Sequence, residues 1–198
     1  GEMLGMAFFK SLVKHHGIKY FEPIGKAQAA AGIKKPNLLN PAHAWALKGT
    51  LGPYAKWYLG QRCRLSSKPS LPPIPGPLQE HAAYAAEQLN HSPLEISGTM
   101  RKHQLKLADR QCRMSELSAR IQKLIVILCT SLYAARQSDE VIQAAADVLC
   151  QDLTRQLTGR RPSDQYFRSA TRLGETIIDG GFQSIAGLSA DEILMPYD

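Results

Sequence analysis

The chain has 198 residues, a formal net charge of +7 and a pI of about 9.3, length enough for one hydrophobic core or for a core with an appended segment. No run alternates apolar and polar residues for long, which argues against a β fold. Four cysteines without a C-x-x-C pair argue against a zinc site and suit a reducing compartment.

The charge is unevenly spread. Residues 1–75 hold 11 Lys/Arg against two acids, Glu2 and Glu22, whereas residues 76–198 hold 13 against 15. This contrast divides the chain into parts with different work. The expected fold is all-α: a basic segment of short helices, ending in a proline-rich linker (1–75), then an antiparallel up-down helical bundle (76–198).

Residues 2–16 predict an amphipathic helix, with Leu4, Phe8, Phe9, Leu12 and Val13 on one side and Lys10 and Lys14 opposite. Gly17 is placed to stop it, and His15-His16 supply cations suited to its C-terminal end. Lys10 interrupts the apolar start and no small-residue cleavage pattern comes after it, so no signal peptide is expected. The chain starts at Gly1 and not at a methionine, as a piece of a longer chain would. A second short element is expected within 19–31, its start limited by Pro23. Asn40-Pro41 reads as an N-cap followed by proline at the first helical position. The helix after it carries Trp45, Leu47 and Leu51, and Gly52-Pro53 is expected to break it and start another. Tyr54, Trp57 and Tyr58 then fall at i, i+3, i+4. Both tryptophans and two of the tyrosines thus lie close together, beside Lys48, Lys56, Arg62 and Arg64.

Residues 66–77 contain Pro69, Pro72, Pro73, Pro75 and Pro77 and read as an extended, semi-rigid connector. Four longer helices are expected beyond it. The first covers about 76–90, with Pro93 kinking any continuation to Lys102. In the second, within 107–137, Met114, Leu117, Ile121, Leu124, Leu128 and Leu132 recur at three- and four-residue spacing. Its run 124–129 is apolar on every side, so it should enter the middle of the bundle. That run is far short of the ~20 apolar residues of a membrane span. The third, about 139–157, has Ser138 as cap and Val141, Ala145, Val148, Leu149 and Leu153 inward. The fourth, about 164–179, has Ser163 as cap and Tyr166, Ala170, Leu173 and Ile177 inward, and Gly180-Gly181 ends it. The tail adds one short turn after Ser189. Cys129 and Cys150 read as buried thiols on apolar faces. His81, His91 and His103 show no obvious carboxylate partner, and no metal role is assigned to them.

Residues 107–137, LADRQCRMSELSARIQKLIVILCTSLYAARQ, resemble a helix in the C-terminal extension of very-long-chain acyl-CoA dehydrogenases. That family helix begins with leucine-alanine-aspartate and ends in a serine-arginine-alanine-serine-arginine run. Here the ending, Ser131 to Arg136, keeps an alanine and the last arginine but loses the first. Residues 139–157 are similar to the family's next helix, which also has a cysteine mid-way, and residues 164–182 to its last, which ends in glycines. Residues 1–14 resemble the segment just past the family's catalytic core. The order of these stretches carries the resemblance more than any one of them.

The resemblance implies an accessory domain of an FAD-dependent dehydrogenase of fatty-acid β-oxidation. It implies that the glutamate base and FAD belong to an upstream catalytic core of the same chain. No catalytic, cofactor-binding or metal residue is transferred to this sequence. Glu22, Glu80, Glu87, Glu95, Glu116, Glu140, Glu175 and Glu192 read as solvated helix acids, and no G-x-G-x-x-G or phosphate loop appears. The fragment alone should not catalyse the reaction. The family's extension packs on the core, supports a homodimer and helps attach the enzyme to a membrane. Such an address is intracellular, at the bacterial cytoplasmic face or the matrix side of the mitochondrial inner membrane.

The residues give the membrane role a physical basis. Lys and Arg near an anionic surface contribute roughly 1 kcal/mol each, and aromatic rings favour the headgroup boundary. Phe8 and Phe9 with Lys10 and Lys14, and Trp45, Tyr54, Trp57 and Tyr58 with Lys48 and Lys56, are the candidate membrane or partner contacts. Each ring taken singly is also explained as a core contact. Two rival readings are a protein-interaction scaffold, and a nucleic-acid-binding module, for which no helix-turn-helix, RRM or KH pattern can be placed.

Overall fold

A computed structural model describes residues 2–33, 37, 39–65, 69–74, 76–103 and 111–180, without the side chains of residues 2–6, 8, 64 and 65. The expected turn after Ser189, the helix start before Gln111 and part of the proline-rich stretch lie outside these residues. The fold is an all-α helical bundle. Its elements are α1 (Glu2–His16), a π-helical turn (Gly17–Phe21), α2 (Glu22–Ala30), α3 (Pro41–Leu65), α4 (Pro77–His103), α5 (Gln111–Ala134), α6 (Glu140–Thr158) and α7 (Asp164–Ile178).

The chain divides into two compact units, Gly1–Ser70 with Tyr84–Ile125, and Leu71–Ala83 with Val126–Asp198. Both α4 and α5 supply residues to each. In the first unit, Phe9 and Val13 of α1 pack with Leu89, Ile96 and Met100 of α4 and Met114, Leu117 and Ile121 of α5. In the second, Leu78 and Ala82 of α4, Leu128, Leu132 and Ala134 of α5, and Ile142 and Ala146 of α6 pack together. Leu71 and Ile74 join this second core, and the Ile74 N–H donates to Gln79 Oε1 at 3.2 Å. Part of the proline-rich connector is therefore core.

Several boundaries differ from the sequence expectations. Gly17 does not end the first helix, because α1 passes through the π turn into α2. The Glu22 N–H bonds back to Gly17 O, five residues earlier, and the wide turn lies just before Pro23, which has no N–H to continue the ladder. What Gly17 supplies is room: a Cβ there would stand 3.2 Å from Met100 Cε. Gly52-Pro53 does not break α3 either, since Pro53 sits inside it. Gly52 has no Cβ to meet the proline ring, which relieves the usual restriction on the preceding residue. Helix α4 does continue past Pro93, as the sequence allowed, and reaches His103. Asn40 and Ser163 cap as expected, accepting from Ala42 N at 3.0 Å and Tyr166 N at 3.2 Å. Asp139, and not Ser138, caps α6, and Gly159 ends it at φ 69°.

The buried stripe of α5 begins as expected with Met114, Leu117, Ile121 and Leu124, then continues as Ile127, Ser131 and Ala134. Leu128 and Leu132 are only partly buried. The run 124–129 is not dry all round: Ile125 is 38% exposed, Val126 45%, and Cys129 is also exposed. By length and apolar content α5 could cross a bilayer, but its packed stripe explains it as a core helix. On α6 the inner positions are Ala146 and Cys150, and Leu149 faces out. Small side chains occupy the buried line, and the larger Ile142 flanks it.

Candidate functional site

The basic segment builds one aromatic cluster. From the end of α1 and the π turn come His16, Tyr20 and Phe21; from α3 come Tyr54, Trp57 and Tyr58. The His16 ring lies 4.6 Å from Trp57 and 4.9 Å from Tyr20, and Tyr54 stacks on Trp57 at 5.7 Å. Such centroid separations are those of attractive ring pairs. The helical continuity of α1 into the π turn places His16, Tyr20 and Phe21 on one side, and the i, i+3, i+4 spacing of Tyr54, Trp57 and Tyr58 does the same on α3.

Burial, the largest cause, and the electrostatic influence of the neighbouring His15 and Lys19 hold the His16 imidazole below its ordinary pKa. Its Nε2 is buried without a hydrogen-bond partner. His16 packs among aromatic rings where the chain continues through the π turn, and does not stand at a free helix end as the sequence predicts.

The cluster is tied to α4 by a partly buried polar contact. The Tyr54 hydroxyl and Ser97 Oγ lie 2.7 Å apart, and Ser97 is fully buried. One turn further along both helices, Tyr58 meets Arg101, whose guanidinium carbon is 5.2 Å from the ring centroid. Arg62 approaches the same ring at 5.6 Å and donates to the Tyr58 hydroxyl at 3.1 Å. The hydrogen bond from Arg62 and its charge, with a smaller contribution from Arg101, lower the Tyr58 pKa.

The opposite side of α3 is open. Trp45 is 77% exposed, with Lys48 Nζ 5.1 Å above its ring, and Lys56, Leu59, Arg62 and Cys63 are exposed on the same helix. The helix contains no Asp or Glu. Apolar and aromatic groups thus occur on both its faces: Leu47 and Trp57 pack inward, while Trp45 and Leu59 face out.

The candidate contacts therefore separate. Trp45, Lys48 and Lys56 share the open side of α3. Tyr54, Trp57 and Tyr58 belong to the aromatic cluster, Tyr58 at its cationic margin. Lys10 and Lys14 are exposed on α1, but Phe9, at 2% exposed, is a core side chain and cannot reach a surface. The Phe8 side chain lies outside the described residues. Arg101 escaped the sequence reading because its partners lie some forty positions away, beyond any local spacing rule.

The second unit has its own polar contact. His81 Nε2 and Asp147 Oδ1 lie 2.8 Å apart, and Gln151 donates to the other carboxylate oxygen at 2.8 Å. His81 thus has the carboxylate partner that its sequence neighbourhood lacks. Cys150 is buried beside Ser131 and Ile127 O, and burial raises its pKa. Cys129, expected to be buried, is exposed. Among the described residues no three His, Cys, Asp or Glu side chains converge on a point where a metal could sit.

No protein-family model matches this chain, and no curated protein or solved structure is significantly similar to it. The arrangement of side chains has to carry the functional argument.

Proposed function

We propose that the chain is a non-catalytic helical accessory module that attaches peripherally to an anionic membrane surface through the open side of α3. The observation that carries this reading is an exposed Trp45 held under Lys48 on a 25-residue helix without one acid. Lys48, Lys56 and Arg62 supply roughly 1 kcal/mol each near an anionic leaflet. Trp45 and Leu59 supply apolar area that survives salt. The resemblance to the extension of very-long-chain acyl-CoA dehydrogenases gives such a module its place, behind an upstream core that holds FAD and the catalytic glutamate. A homodimer and a seat on that core belong to the same proposal.

Vesicle binding tests it. With Trp57 replaced by Phe, Trp45 becomes the sole indole reporter. Its emission should shift to the blue on vesicles containing anionic lipid and stay unchanged on zwitterionic ones. Trp45→Ser should weaken binding and remove the part that high salt leaves. Equal behaviour on both vesicles, or no binding at all, would refute the reading.

A second reading, a protein-interaction scaffold, draws on α5. Ile125, Val126, Cys129 and Tyr133 are exposed along it, an apolar line that a covering protein surface would dry. A stable hetero-complex that persists without lipid would favour it.

A further inference from the structure

Arg62 and Arg101 reach the Tyr58 ring from different helices, at 5.6 and 5.2 Å from its centroid. Two like charges brought to one ring repel unless an anion lies between or beside them. Helix α3 carries no acid, and the acid of α4 nearest in sequence to Arg101, Glu95, accepts from Arg120 at 3.2 Å. Among the described residues neither Arg62 nor Arg101 forms an ion pair with a carboxylate, although four other Lys or Arg side chains among them do. The Tyr58 hydroxyl supplies a third polar atom and is held by Arg62 at 3.1 Å. The arrangement is fixed from below, because the partly buried Tyr54–Ser97 contact sets α3 against α4 one turn earlier on both helices.

We propose that Arg62, Arg101 and the Tyr58 hydroxyl form an anion subsite that takes a phosphate group, borne by a lipid headgroup or free in solution. Guanidinium forks match the oxygens of a phosphate in a way that an ammonium cannot. A phosphate taken by both guanidinium groups would also offset their like charge. For the lipid-borne source, this subsite deepens the membrane reading, with Trp45 and Lys48 giving general attachment and Tyr58 with its two arginines giving headgroup choice. For free phosphate it stands without that reading.

The experiment uses the full chain and two probes. Inorganic phosphate is titrated at constant ionic strength while NMR follows the Tyr58 ring and the Arg62 and Arg101 Nε–H signals. Vesicles carrying phosphatidic acid are then compared with phosphatidylserine vesicles of matched surface charge. Saturable shifts confined to these three residues are expected, together with a preference for phosphatidic acid of about tenfold, the order that one charge-assisted hydrogen bond supplies. R62Q/R101Q should abolish both while keeping full helicity, since both side chains are exposed. R62K/R101K keeps the charge and should still lose the preference. Saturable phosphate shifts without vesicle binding would uphold the subsite for free phosphate and sink the membrane reading. No saturable shift together with no headgroup preference would overturn the subsite, even if Trp45-dependent vesicle binding persists. Lysine variants that match the wild type would overturn it as well, because they would reduce it to diffuse charge.

Discussion

Introducing a charge at two positions of α5 separated by one residue tests the packing of this helix directly. By composition, Leu124 and Val126 belong to the same apolar run. In the fold Leu124 is 1% exposed and Val126 is 45% exposed. Leu124→Asp forfeits the burial of a leucine, about 1.5–3 kcal/mol. It also buries a polar carboxyl without a partner, at a cost of roughly 2–7 kcal/mol even when the acid protonates to avoid the charge. Together these approach the roughly 5–15 kcal/mol that holds a whole domain folded. Val126→Asp leaves its carboxylate in water and loses about half of a valine's burial, on the order of 1 kcal/mol. Urea denaturation followed by circular dichroism should show L124D unfolded or shifted far to low urea, and V126D close to the wild type. If V126D proved as damaging as L124D, the one-sided burial of α5 would be wrong. Wild-type stability in L124D would refute the core itself.

Three further outcomes rest on named contacts. The His16 imidazole has a folded pKa below its ordinary 6.5, so the unfolded chain takes up its proton first as pH falls. Stability should therefore decline from about pH 6.5 downward through the lowered folded value, and His16→Phe should remove that component while gaining more at pH 5 than at pH 7.5. Thermal melts across pH would check this, and a H16F variant with the same acid slope would refute it. Cys63, Cys112 and Cys129 are exposed and Cys150 is buried with its pKa raised; a thiol reagent should label three sites in the native chain and the fourth only on unfolding, as mass spectrometry would show. Asp147→Ala leaves both His81 and Gln151 without their acceptor and should cost about 1–3 kcal/mol in urea denaturation; an unchanged midpoint would mean that the pair contributes nothing.

The sequence by itself determined which segments are helical and how α3 and α7 begin. Asn40 with Pro41 and Ser163 are local capping signals, and the three- and four-residue spacing of Met114, Leu117, Ile121 and Leu124 records which side of α5 is buried at its start. These features rest on backbone chemistry and periodicity within a few residues, which a linear reading can track. The excess of positive charge in residues 1–75 is also a property of the sequence alone.

Only the tertiary structure decided the rest. Gly17 and Pro53 look like breaks because their local cost is visible, whereas the packing that sustains the helices through them is not. The drift of the α5 stripe from Leu128 to Ile127 and Ser131 reflects where neighbouring helices approach, and small residues such as Ala146 and Cys150 take the closest positions on α6. Phe9 entered the core because α4 and α5 present Leu89, Met114 and Ile121 to it, information held far along the chain. The pairings of His81 with Asp147, Tyr54 with Ser97 and Tyr58 with Arg101 join residues too distant for any spacing rule. Local interactions write the helices into the sequence, but which side chains meet depends on contacts between residues tens of positions apart, and folding alone brings those together.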